Sequence, residues 1–94
     1  MDTPQSEPIA SKRKRLHMRS IRRGIKEMDL ILTAYSAKHL ADLDAAGLTL
    51  YDAFLSEYDH DLYNWITGQE DAPSQYAPLM GQIVAIAHGI TRPN

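Results

Sequence analysis

Arg19, Arg22, Arg23, Gly24, Glu27 and Asp29 stand within eleven residues of one another. Arginine carries a rigid fork of donors that bonds carboxylate or phosphate in pairs. The amides that open a helix also attract negative charge. The chemistry available to this cluster is therefore recognition of an acidic or anionic group. The same residues also read as plain helix punctuation. Gly24 suits a helix stop, Arg22 and Arg23 suit a last turn, and Glu27 suits a first turn. Glu27 could bond the cap amide or meet Arg23 at a spacing of four. Punctuation accounts for each residue but not for the surplus of arginine, so both readings stay open.

Little else has the makings of a reaction centre. His17, His39, His60 and His88 are scattered, and no two form a helical metal pair. Asp59, His60 and Asp61 are adjacent, but a helix start explains both carboxylates. The chain has no cysteine, which excludes a disulfide framework, a thiolate zinc site and a cysteine nucleophile. No phosphate loop, nucleophile elbow or dinucleotide fingerprint occurs. An enzyme is not expected, and no metal or cofactor is expected to be held by the chain itself.

The elements that must position the cluster are helical throughout. Residues 1–8 read as a disordered lead-in and residues 9–91 as one helical domain. A first helix is expected from Ile9 to Arg22, with Ser11 as its cap and Gly24 as a left-handed stop. A second restarts near Ile25, with Ile25, Met28, Leu32, Tyr35 and His39 as its buried stripe and Lys26, Asp29, Thr33 and Ser36 facing outward. Gly47 is its expected end. A third helix is expected from Thr49, capped by that hydroxyl and assisted by Asp52. Asp59 is expected to cap a fourth, with Asp61 in its first turn, a face of Leu62, Trp65 and Ile66, and a stop at Gly68. Tyr76, Leu79, Ile83, Ile86, Ala87 and Ile90 mark a fifth, ending at Gly89, with Pro78 confined to its first turn. The expected fold class is all-α, a small five-helix bundle.

Ninety-four residues support one modest core, burying about 60–65% of the surface of the unfolded chain. The longest apolar run is too short to span a membrane. Charge is divided along the chain. Residues 1–28 hold eight lysines and arginines against three carboxylates, and residues 29–94 hold two against nine. A basic end on an acidic body suggests an anionic partner, or a basic helix docked on its own acidic neighbours. A small nucleic-acid binder using the basic first helix is the alternative function.

Two blocks carry a resemblance. Arg23-Gly24-Ile25-Lys26-Glu27, followed by Met28-Asp29-Leu30, resembles the signature of the succinate dehydrogenase assembly factors. Asp59, Asp61, Leu62 and Trp65 are similar to that family's Asp-x-Asp-Leu-x-x-Trp block, and the resemblance covers roughly residues 11–68. Phe54 departs from the pattern, where leucine is commoner. The resemblance implies a five-helix chaperone that promotes covalent attachment of FAD to the flavoprotein subunit of succinate dehydrogenase, with fumarate reductase as a further candidate. FAD would be carried by that subunit. Arg19, Arg22, Arg23, Gly24, Glu27 and Asp29 would meet the partner, with Asp59 and Asp61 as secondary contacts. The chain would be a monomer when free, with no nucleic acid bound and no membrane insertion. The short stretch before the matching region favours a bacterial cytoplasm over the mitochondrial matrix.

Overall fold

The computed structural model describes residues 7–91. The expected lead-in therefore lies mostly outside the described residues. Five α-helices follow in order: α1 (Ile9–Ser20), α2 (Lys26–His39), α3 (Ala45–Leu55), α4 (Asp59–Ile66) and α5 (Ala77–Thr91). Short 3-10 turns, Leu40–Asp42 and Ser74–Tyr76, follow α2 and precede α5. The architecture is the expected all-α bundle, and no strand occurs among the described residues.

The core is built from stripes at helical spacing. Met28, Ile31, Leu32 and Tyr35 of α2 meet Leu48, Tyr51, Phe54 and Leu55 of α3, with Leu62 and Ile66 of α4 and Tyr76, Leu79, Ile83 and Ala87 from the last segment. α2 is the central element, packed against α1, α4 and α5. Its stripe is rotated from the expected one. Ile31 and Ser36 are buried, whereas His39 and Ile25 are only half-buried. Trp65, expected in the core, is also half-buried and leans on it from the side.

α1 differs in kind from the others. Leu16 and Ser20 are its only buried residues. The Ser20 hydroxyl donates to the carbonyl of Leu16 at 2.8 Å and meets the Tyr51 hydroxyl at 2.6 Å. One leucine and one polar contact bury little area, so polar side chains must hold the rest of this helix to α3.

Several boundaries depart from the sequence reading. α1 stops at Ser20, and Pro8, not Ser11, occupies its N-cap. Gly24 lies in the five-residue linker to α2 without a positive φ; among the described residues Gly68 alone has one, at 83°. Gly47 does not end α2. It sits in the first turn of α3, where its amide donates to Asp44 Oδ1 at 2.8 Å. Asp44 thus takes the capping role expected of Thr49, and Ala45 and Ala46 let the helix start early. Tyr58 occupies the N-cap of α4, which leaves Asp59 as its first residue. α5 runs past Gly89, and Pro78 sits in its first turn, as expected.

Candidate functional site: the corner between α1 and α2

The linker between α1 and α2 passes a place where four helix ends meet. Helix C-termini leave carbonyls without partners, and N-termini leave amides without them. Arg23 is placed to serve both kinds. Its guanidinium donates to the carbonyl of Arg19 near the end of α1 at 3.2 Å and to the carbonyl of Leu55 at the end of α3 at 3.0 Å. It also grips Asp59 at the start of α4, with Nε to Oδ1 at 2.8 Å and a second nitrogen to the same oxygen at 2.7 Å. The other Asp59 oxygen accepts the Gly24 amide at 2.5 Å. The amide of Arg23 donates to the Asp29 carboxylate in the first turn of α2. Positive charge sits at two helix C-termini and negative charge at two N-termini, each favourable to the helix dipoles.

These groups are well sheltered. The side chains of Arg23 and Asp59 are 10% and 15% exposed. Gly24 suits this close approach and does not adopt a left-handed backbone. A Cβ at position 24 would lie 3.2 Å from Asp59 Oδ2, the oxygen that accepts its own amide. The two sequence blocks that carry the family resemblance are therefore fastened to each other. Asp59 is a partner of Arg23 and Gly24, not a cap.

Four other basic residues, all on α1, are also engaged internally. Arg19 bonds Asp52 Oδ1 at 2.5 Å and Ser56 Oγ at 3.2 Å. Arg15 shares Asp52 at 3.1 Å and also pairs with Glu7 at 3.0 Å. Arg13 donates to the carbonyls of Leu40 and Leu43, and Lys12 to the Thr49 hydroxyl. Part of the charge division along the chain is thus α1 docked through Arg15 and Arg19 on Asp52, the one carboxylate within α3. Asp52 was legible only as a first-turn carboxylate. The signal that could have found its role is the spacing of Arg15 and Arg19, one turn apart on the same face of α1.

Burial pushes Asp52 up, but Arg15 and Arg19 outweigh it and hold the carboxyl below its ordinary value of 3.8. A carboxyl depressed on folding stabilises above its unfolded value and loses that contribution as pH falls through the folded one. The gap in urea midpoint between the native chain and Asp52→Asn should therefore be constant well above pH 3.8 and close in acid. A gap that widens in acid would rule out this role for Asp52.

The cluster read from sequence is divided by the structure. Arg23, Asp29 and Asp59 face inward to one another, and Arg19 is tied to α3. The side chains of Arg22 and Glu27 are exposed and make no hydrogen bond or ion pair among the described residues. Glu27 neither reaches a cap amide nor meets Arg23, because Asp59 and Asp29 have taken those roles. Asp61 is half-buried in the first turn of α4. Tyr58, expected on the buried stripe of the third helix with Tyr51, Phe54 and Leu55, instead stands beside Asp59 and is 81% exposed, because α3 ends at Leu55.

Residues 14–87 match a family model described as flavinator of succinate dehydrogenase. The chain belongs to that family. Among family relatives, the mitochondrial succinate dehydrogenase assembly factor 2 of Candida glabrata is 47% identical over 62 residues, covering 66% of this chain and 40% of the relative. The assembly factor 2-A of Drosophila yakuba is 33% identical over 93 residues, covering 93% of this chain and 57% of the relative. The chain thus spans about half the length of these family members or less. They are mitochondrial proteins, as is the assembly factor of Saccharomyces cerevisiae, which overturns the expectation of a bacterial cytoplasm. That expectation rested on a length of chain, and length carries no physical information about compartment. No helix among the described residues is long and apolar enough to cross a membrane.

Proposed function

We propose that this chain is an assembly factor that promotes covalent attachment of FAD to the flavoprotein subunit of succinate dehydrogenase. The flavoprotein of fumarate reductase is a second candidate partner. The family match over residues 14–87, which includes both motif blocks, carries this reading. The role is binding, not catalysis, and FAD belongs to the partner. The assembly factor would bind the attachment-competent conformation of the subunit more tightly than others and so raise its population.

The corner suggests how the work is divided. Arg22, Glu27 and the exposed backbone of Gly24 are free to meet the partner. Arg19, Arg23 and Asp29 hold that surface in place, together with Asp59. Asp61 lies on the neighbouring helix as a secondary contact. A charge that bonds nothing in the free protein has no internal partner to lose when it docks, which favours Glu27 as a contact over Arg23.

Co-expression with the flavoprotein subunit, followed by flavin fluorescence in a denaturing gel, tests both levels of the proposal. The native chain should raise covalent flavin. Glu27→Ala should lower that stimulation about tenfold, the loss of roughly 1.4 kcal/mol of docking energy. Its thermal midpoint should be unchanged, as for exposed substitutions generally. Full stimulation by an Arg22→Ala/Glu27→Ala double variant would remove the corner as the contact. No difference between the presence and absence of the native chain would remove the function.

A further inference from the structure

A second surface lies away from the corner, where the loop after α4 folds back toward α5. It is an open cleft of about 420 Å³, lined by Trp65, Glu70, Asp71, Pro73 and Met80 among others. The Trp65 ring is braced by the core, 5.8 Å from Tyr76 and 6.3 Å from Phe54 between ring centres. Its remaining surface contributes to the cleft wall. Gly68, in its left-handed conformation, turns the chain out of α4. The amides of Gln69 and Glu70 then both donate to the carbonyl of Asn64, at 2.9 and 3.1 Å. The acidic rim is therefore pinned to the helix end.

Neither Glu70 nor Asp71 has an ion-pair partner among the described residues. The reason is visible in the sequence, since no lysine or arginine occurs between Lys38 and Arg92. An aromatic wall, a thioether, a proline and two unpaired carboxylates make up one concave surface. The aromatic face attracts a cation, and a guanidinium stacks on it better than an ammonium does. The carboxylates accept its donors, and the apolar residues suit an aliphatic stem.

We propose that this cleft is a docking site for an arginine-bearing peptide segment of a protein partner, with the guanidinium held between Trp65 and the Glu70–Asp71 rim. The proposal goes beyond the flavoprotein reading and does not rest on it, because it concerns a different face and can be tested on the isolated chain.

Trp65 is the single tryptophan of the chain, so any change in tryptophan emission comes from this residue. The probe is the blocked tripeptide acetyl-Ala-Arg-Ala-amide, with the Ala-Ala-Ala and Ala-Glu-Ala peptides as controls. The arginine peptide should change Trp65 emission saturably, with a dissociation constant on the order of 1 mM. Affinity should fall about threefold or more when salt is raised to about 0.5 M. A Glu70→Gln/Asp71→Asn variant, with unchanged helical circular dichroism, should bind at least about fivefold more weakly. An equal response to the neutral peptide would overturn the proposal. So would unaltered affinity in the double variant, or no response up to about 20 mM, well above the expected constant.

Discussion

Arg23→Ala should destabilise the fold by about 3–5 kcal/mol, the loss found when one partner of a buried ion pair is removed. The guanidinium is 10% exposed and its carboxylate partner 15%, so water does little to replace the pair. Removing it leaves Asp59 with only the Gly24 amide, and strips a donor from the carbonyls of Arg19 and Leu55. Three helix ends lose their common partner at once. Lysine carries the charge but not the fork, so Arg23→Lys should recover only part of the loss. Urea unfolding followed by circular dichroism measures the effect. A double-mutant cycle with Asp59→Ala should give a coupling above about 1 kcal/mol, as expected for residues in direct contact. Arg23→Ala within about 0.5 kcal/mol of the native chain would remove the latch from the account. The comparison with Glu27→Ala separates two ways of losing flavin attachment. Arg23→Ala should lose it by loosening the corner, Glu27→Ala with the fold intact.

Phe54→Ala should cost about 3–5 kcal/mol, the range for truncating a buried aromatic. Phe54 is fully buried, 5.1 Å from Tyr76 edge to face, 6.4 Å from Tyr51 and 6.3 Å from Trp65 between ring centres. It thus joins α3 to α4 and to the turn that precedes α5. A domain of this size has only about 5–15 kcal/mol of total stability, so the variant should stand close to its unfolding transition. Trp65, which leans on the same ring, should report the loss as a red-shifted emission. Phe54→Leu keeps most of the volume and should cost less than about 1.5 kcal/mol. A Phe54→Ala chain as stable as the Phe54→Leu one would mean that the aromatic cluster does not hold these helices together.

Much of the fold was legible because helical packing is written locally. Met28, Leu32 and Tyr35 recur at steps of three and four, and so do Leu79, Ile83 and Ala87 in α5; both sets are buried. Gly68 and Pro78 also act as their types dictate. Caps were less legible, because neighbouring residues compete for the same amides. Asp44 outcompeted Thr49, and the first turn of α3 formed around Gly47.

The corner between α1 and α2 shows where local reading stops. Residue types and spacing were enough to establish the family blocks, the arginine cluster and the all-helical class, since these depend on chemistry and period within a few residues. Which arginines are spent internally depends on groups more than thirty positions away: Asp59 for Arg23, and Asp52 for Arg15 and Arg19. A charged side chain carries no mark of the partner it will meet. Only the docking of α1 and α2 against α3 and α4 decided that Arg23 closes the corner and that Arg22 and Glu27 remain free, because burial and pairing are properties of the packed helices and not of the chain.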